Sequence, residues 1–345
     1  MQLDSDIEEV ILDPLIPWEK LRGCTVIVTG ATGLIGSLLL RTLVVVDARM
    51  GLNLKIVGTT RNVESAKSKL GNISTKITLS RLETLRDEPR LDFIIHTAAP
   101  TDSSTFIHSP VEVINDIYQD LYFLLSLCQK HSINSFVQLS SMEIYGSSDG
   151  KEVSEDCPGV LDSFSLRASY PEAKRLAETL CRAFFEEYGT PCKVARLTQC
   201  FGAGVNLDKD QRVFADFAQK ASSGIPIVMF TQGESCRSYI YTSDAVRAIF
   251  FILLKGKPGE VYNVANPSTF CSIRDMAESL SELCNTTVQV RLDSKAAKKY
   301  CKTNKINLNV SKLKSLGWAP KISLIESFQR MIRGHNEKNN KDCCE

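Results

Sequence analysis

The stretch "CTVIVTGATGLIGSLLL" (24–40) limits the fold more than any other part of the chain. A β-branched run ends in Gly30, Gly33 and Gly36, and an apolar helical stretch follows at once. Glycines at these places permit a tight turn and let the backbone approach a ligand closely. The helix start behind them offers unbonded N–H groups and a positive dipole end, which together suit a phosphate. Such a turn belongs to the first strand–helix–strand unit of a parallel sheet that binds a dinucleotide.

The rest of the chain keeps this rhythm. Strands are expected at 24–30, 54–60, 75–80, 91–99, 134–141 and 191–199. Helices are expected over 37–50, 62–71, 111–132 and 170–189. This alternation predicts an α/β fold, a Rossmann-type doubly wound parallel sheet with helices on both faces. After residue 200, Gly and Pro become frequent, as in "FGAGVNLDKDQ" and "SSGIPIV", and a smaller C-terminal α/β substrate-binding lobe is expected. "YIYTSDAVRAIFFILL" (239–254) and "EVYNVAN" (260–266) are expected to return to the main sheet. The dinucleotide domain is thus drawn as 24–200 plus 237–266, and the lobe as 201–236 plus 267–334. Residues 1–23 form an extension that docks through Trp18, and 335–345 form a polar, frayed tail.

Composition excludes several classes. Net charge is +1 over 345 residues and no long basic run occurs, so neither nucleic acid nor an anionic membrane is implied. The strongest apolar run, "SLLLRTLVVV", is broken by Arg41 and ended by Asp47, which suits a buried helix rather than a span. The twelve cysteines form no CxxC pair and there are four histidines, so no metal site is expected. Free thiols and an acidic N-terminus without an apolar signal segment predict a cytoplasmic protein. His96 and His131 are assigned core or surface roles.

The second strand lacks the acidic residue that holds the ribose hydroxyls of NAD; Thr60 and Arg61 stand there instead. Arginine pairs with a ribose 2′-phosphate, so the cofactor expectation is NAD(P), leaning toward NADP. Further along, "LSSMEIYG" (139–146) puts Ser140, Ser141 and Glu143 at the carboxyl edge of the sheet, where ligands of open α/β sheets bind. "SYPEAKRLAE" (169–178) sets Tyr170 and Lys174 one helical turn apart, on one face.

Taken together with "FIIHTAAP", "RSYIYTSDAV" and "LGWAP", these motifs resemble the extended short-chain dehydrogenase/reductase family, in its nucleotide-sugar epimerase, dehydratase and decarboxylase branch, over roughly residues 24–333. The resemblance implies Tyr170 as base, Lys174 as its electrostatic partner, Ser141 as the hydroxyl holding the same oxygen, and Glu143 as a further catalytic carboxylate. It implies cofactor contacts from Gly30, Thr32, Gly33, Leu34, Ile35, Gly36, Thr60, Arg61, Thr97, Ala98, Ala99, Tyr170 and Lys174. It implies that a nucleotide-diphosphate sugar meets Pro100, Ser141, Met142, Gln199, Arg212, Val213 and Arg237. A neighbouring ammonium and the positive nicotinamide ring are expected to favour the Tyr170 phenolate.

The resemblance leaves several reactions open: an epimerase working through a 4-keto intermediate, a UDP-glucuronate decarboxylase-like enzyme, an NADPH-dependent reductase, or a 4,6-dehydratase. The dehydratase is disfavoured because Met142 stands where that branch carries an acid, and a thioether has no proton to give. A non-catalytic NAD(P)-sensing protein is the reading from another class. The sequence also departs from the family pattern at Gln199, at Ile117, Asp120 and Leu121 on the long helix, and at the third strand, "TLSRL". A homodimer is expected through apolar faces carrying Ile117, Leu121, Leu124 and Leu125 on one helix and Leu176, Leu180 and Phe184 on the next.

Overall fold

The computed structural model describes residues 1–101, 105–293 and 304–342. Residues 102–104 of "HTAAPTDSSTFIHSP", 294–303 of the second lobe and 343–345 of the tail lie outside the described residues.

The chain begins with α1 (Gln2–Ile11) and a 3-10 turn, Trp18–Leu21. It then alternates as expected: β1 (Thr25–Thr29), α2 (Leu34–Met50), β2 (Lys55–Thr59), α3 (Val63–Leu70), β3 (Thr78–Ser80) and β4 (Phe93–His96). A short α4 (Thr105–His108) leads to α5 (Pro110–Cys128), β5 (Ser135–Ser141), β6 (Asp149–Val153), α6 (Ser169–Tyr188), β7 (Cys192–Leu197) and β8 (Gln199–Phe201). Next come α7 (Val213–Ser222), β9 (Ile227–Met229), β10 (Cys236–Tyr241), α8 (Thr242–Lys255), β11 (Val261–Val264), β12 (Asn266–Ser272) and α9 (Ile273–Leu283). The chain closes with β13 (Val288–Val290), β14 (Lys305–Leu308), α10 (Ser311–Lys314) and α11 (Leu324–Asp342).

The main sheet has seven parallel strands in the order β11-β7-β5-β4-β1-β2-β3. Strand order reverses between β1 and β4, and the crevice at such a switch point is where open α/β sheets bind ligands. All five residues of β1 are buried, as a sheet covered on both faces requires. Side chains alternate between those faces. Val26 and Val28 join the core under α2 and α8, while Ile27 joins the core under α5 and α6. Ile117, Leu121, Leu124, Leu125 and Phe184 belong to that second core, so they pack on the sheet and cannot face a partner. The outer face of the two helices instead exposes Ile114, Tyr118, Tyr122 and Leu176.

The N-terminal extension docks. Ile7, Val10, Ile11, Trp18 and Leu21 are buried in the main core. Arg247 on α8 fastens it, donating to Asp13 and, at 2.8 Å, to Asp244, with all three side chains almost wholly enclosed. Asp244 also accepts the backbone N–H groups of Lys321 and Ile322, and its carbonyl accepts the Trp318 indole. The "TSDAV" and "LGWAP" segments are thus joined through Asp244.

Three expectations are corrected. The strand at 239–241 does not return to the main sheet: β10 lies in a separate sheet of order β12-β10-β14-β6, with β8 also pairing β10. Only α8 and β11 return. The strand expected over 191–199 ends at Leu197, and Gln199 begins β8 in that other sheet. The tail is not frayed from 335, because α11 runs on to Asp342 and His335 is buried within reach of Asp208, 3.7 Å away.

Candidate active site

Gly30 turns the chain after β1 with φ of 70°, a region open to glycine. A Cβ on Gly30 would stand 2.8 Å from Thr97 Oγ1, and one on Gly36 would stand 2.2 Å from the Gly30 carbonyl oxygen. The turn is therefore bare backbone, followed by the first-turn N–H groups of α2, which carries no side-chain cap. This cradle fits a pyrophosphate.

The Thr29 hydroxyl accepts the N–H groups of Thr97 and Ala98, both at 3.1 Å, and so donates its own proton to His96 Nδ1 at 2.7 Å. The neutral ring then carries its proton on Nε2. Burial first, and the Lys174 charge second, bring the imidazole pKa down to about 3. His96 is a neutral lock between β1 and β4 at the switch point.

A cleft of about 780 Å³ opens at the carboxyl edge of the main sheet. Every residue assigned to cofactor, substrate or catalysis lines it except Val213. Val213 opens α7 and packs against the apolar core of the second lobe.

Tyr170 lies at the centre, 7% exposed, its ring stacked on Phe106 at 4.4 Å between centroids. Its phenol is pushed up, by burial first and the Glu143 charge second, against a hydrogen bond with Ser141. The expected lowering by Lys174 is not observed. The Lys174 ammonium is turned to the Leu139 carbonyl, 2.8 Å away, and lies 5.8 Å from the centre of the Tyr170 ring. Burial brings the Lys174 pKa down to about 8, opposed by the charges of Glu178 and Cys181. Ser141 Oγ also caps the following turn, accepting the Glu143 N–H at 3.2 Å.

At the second lobe, Arg237 donates to Gln199 Oε1 at 3.3 Å, while its buried Nε has no partner among the described residues. A buried donor left open at a cleft wall calls for an anion. Arg212 is held by Asp210 and lies over the Phe214 ring. Met142 is buried, its sulfur 3.2 Å from the Thr198 hydroxyl, which donates to the Ser238 carbonyl. At the far end the Arg61 side chain is 95% exposed, with Asp116 3.8 Å away. Asp120 is raised to about 6, by burial first and then by Asp116 and Glu83, with Arg61 opposing.

Sequence reasoning missed Lys69, Arg81 and Arg167, which also line the cleft. It also missed the support behind Ser141. Glu178 accepts the Ser140 hydroxyl and is paired at 2.7 Å with Arg196, whose Nη1 donates to the Tyr145 hydroxyl and the Glu155 carbonyl. The sequence signals for it were Glu178, which follows "YPEAK" and belongs to the motifs of the resemblance, and the polar Arg196 inside an apolar strand. Among the described residues no cluster of metal-ligating side chains occurs, and no helix is long and apolar enough to cross a membrane.

The chain matches the NAD dependent epimerase/dehydratase family over residues 26–265. It is 27% identical to UDP-glucuronic acid decarboxylase 1 of Arabidopsis thaliana over 314 residues, 89% of this chain and 68% of the relative. It is 29% identical to a dTDP-4-dehydro-6-deoxy-D-allose reductase of a Streptomyces species, covering 80% of this chain and 86% of that protein. The fold matches the UDP-glucose 4-epimerase of Thermotoga maritima, solved with UDP-glucose, with a TM-score of 0.75, 22% identity, and coverage of 92% and 99%. The protein belongs to the NAD-dependent epimerase/dehydratase family, the extended branch of the short-chain dehydrogenases/reductases.

Proposed function

We propose that the protein oxidises a nucleotide-diphosphate sugar at C4 with Tyr170 as proton acceptor, and that it is an epimerase acting through the 4-keto sugar. The convergence of Tyr170, Ser141 and Lys174 on one crevice at the switch point carries this reading. The turn at Gly30, Gly33 and Gly36 and the uncapped start of α2 would hold the pyrophosphate of a nicotinamide cofactor, which would supply the hydride acceptor.

The chain's own groups divide the remaining work. Ser141 holds the sugar oxygen and Tyr170 takes its proton. Lys174, still mostly an ammonium at neutral pH, keeps the surroundings positive. Arg237, through its open Nε, takes the diphosphate. Glu143 supports a second reading, a uronate decarboxylase, which the names of several relatives also favour. Buried Met142 supports no dehydratase, since it offers no proton.

The cofactor preference is proposed as NADP, on Arg61 with Lys69 and Arg81 along the same end of the cleft. A homodimer is proposed through the exposed Ile114, Tyr118, Tyr122 and Leu176.

Incubation with UDP-, dTDP-, GDP- and CDP-sugars, hexoses and uronates alike, followed by mass spectrometry, tests the reading. An epimer keeps its mass and changes its retention, whereas loss of carbon dioxide supports the decarboxylase. No conversion of any nucleotide sugar overturns both in favour of a binding protein.

A further inference from the structure

Arg167 occupies the 3-10 turn Leu166–Ala168 that enters α6, one turn ahead of Tyr170, and it lines the cleft half-buried. Its position is fixed by its neighbours. Ser169 Oγ donates to the Phe106 carbonyl at 3.0 Å, and Ala168 N–H to Ser165 at 2.8 Å. The guanidinium carbon stands 5.9 Å from the centre of the Phe106 ring, which is itself stacked on Tyr170. Arg167 and the proton-accepting Tyr170 thus share the Phe106 ring as a neighbour, and both line the same cleft.

Three other cleft arginines have polar neighbours, Arg212 with Asp210, Arg237 with Gln199 and Arg61 near Asp116, while Arg81 lies at the cofactor end of the cleft, away from Tyr170. Arg167 enters no ion pair and no hydrogen bond among the described residues. A half-buried guanidinium on a cleft wall, with no anion beside it among the described residues, is open to an anionic ligand. α6 adds to this, because its amino end has no side-chain cap and carries positive potential.

A neutral hexose bound with C4 at Tyr170 would leave that charge unmatched. A carboxylate on C5 would be carried by the carbon next to the reacting one and offers the two coplanar oxygens that a guanidinium fork matches. Lysine would not be equivalent there, since it supplies only a point charge. We propose that Arg167 is a specificity-determining residue that receives the carboxylate of a nucleotide-linked uronic acid. This rests on the nucleotide-sugar reading above and is independent of whether the carboxylate is then kept or lost.

The test is equilibrium binding of UDP, UDP-glucose and UDP-glucuronate to the NAD(P)-loaded protein and to Arg167→Gln and Arg167→Lys. The cofactor dissociation constant of each variant serves as the check on folding. The wild type should prefer the uronate, and Arg167→Gln should weaken it by roughly 10- to 100-fold, the loss of a charged bidentate contact. UDP and UDP-glucose should move less than about 3-fold, and Arg167→Lys should recover part of the uronate affinity. Equal weakening of hexose and uronate, or no change in either, would overturn the assignment. So would a wild type without uronate preference. If no uridine nucleotide binds, the same set is run with dTDP-, GDP- and CDP-linked pairs. Absence of binding throughout sinks the nucleotide-sugar reading as well, an outcome distinct from binding without discrimination.

Discussion

Replacing Arg196 with methionine should damage the enzyme through a charge left behind. The side chains of Arg196 and Glu178 are each 10% exposed, and the guanidinium bonds both carboxylate oxygens, through Nε at 3.1 Å and Nη2 at 2.7 Å. Methionine keeps much of the volume and removes every donor. Glu178 would retain only the Ser140 hydroxyl, and the Tyr145 hydroxyl and Glu155 carbonyl would each lose a bond. Removing one partner of a buried ion pair costs about 3–5 kcal/mol. For a domain of this size that is a fall in Tm on the order of 10 °C. Urea unfolding followed by tryptophan fluorescence reads it well, since Trp18 and Trp318 are both buried in the main core. The double variant Glu178→Gln/Arg196→Met carries no stranded charge and should recover at least about 1.5 kcal/mol relative to Arg196→Met. A single variant losing under about 1 kcal/mol, or a double variant no more stable than it, would refute the reasoning.

Tyr170→Phe should lower kcat by about 10²- to 10⁴-fold while cofactor binding by fluorescence titration stays near wild type; near-normal turnover would remove Tyr170 from the chemistry. Arg61→Ala should weaken NADP binding by about 10-fold and leave NAD unchanged, and an unaltered ratio of the two dissociation constants would end the NADP preference. His96 is neutral when folded, with a pKa of about 3 against about 6.5 unfolded, so the unfolded chain takes up a proton first as pH falls. Its contribution to stability is therefore complete above about pH 6.5 and lost progressively down to about pH 3; His96→Asn should flatten that part of the profile, and parallel profiles would contradict the assignment. Tyr122→Glu should give a monomer by analytical ultracentrifugation if the outer face of α5 and α6 joins two copies, whereas an unchanged mass would exclude that face.

Much of the site was legible because its signals are local. Gly30, Gly33 and Gly36 declare their turn by spacing, and Tyr170 and Lys174 share a face by helical period alone. The second sheet was not legible. Its strands are short and come from both sides of α6 and α8, so no periodic run announces them. β10 looked like a main-sheet strand because it feeds directly into α8, which does pack there. The Arg196–Glu178 pair joins a strand to a helix eighteen residues away, a distance no helical or strand spacing records. The four-residue spacing of Tyr170 and Lys174 did not record the burial and the Glu143 charge that push the phenol up, nor the Leu139 carbonyl to which the ammonium turns.

A single residue, Thr198, separates the last strand of one sheet from the first strand of the other. Its hydroxyl holds Ser238 on β10 and touches Met142 at the cleft floor. Swinging one lobe about that point would tear the threonine from its acceptor and drag the floor along. Thr198 therefore ties the two sheets together at the floor of the crevice, and any movement between them has to break that bond first.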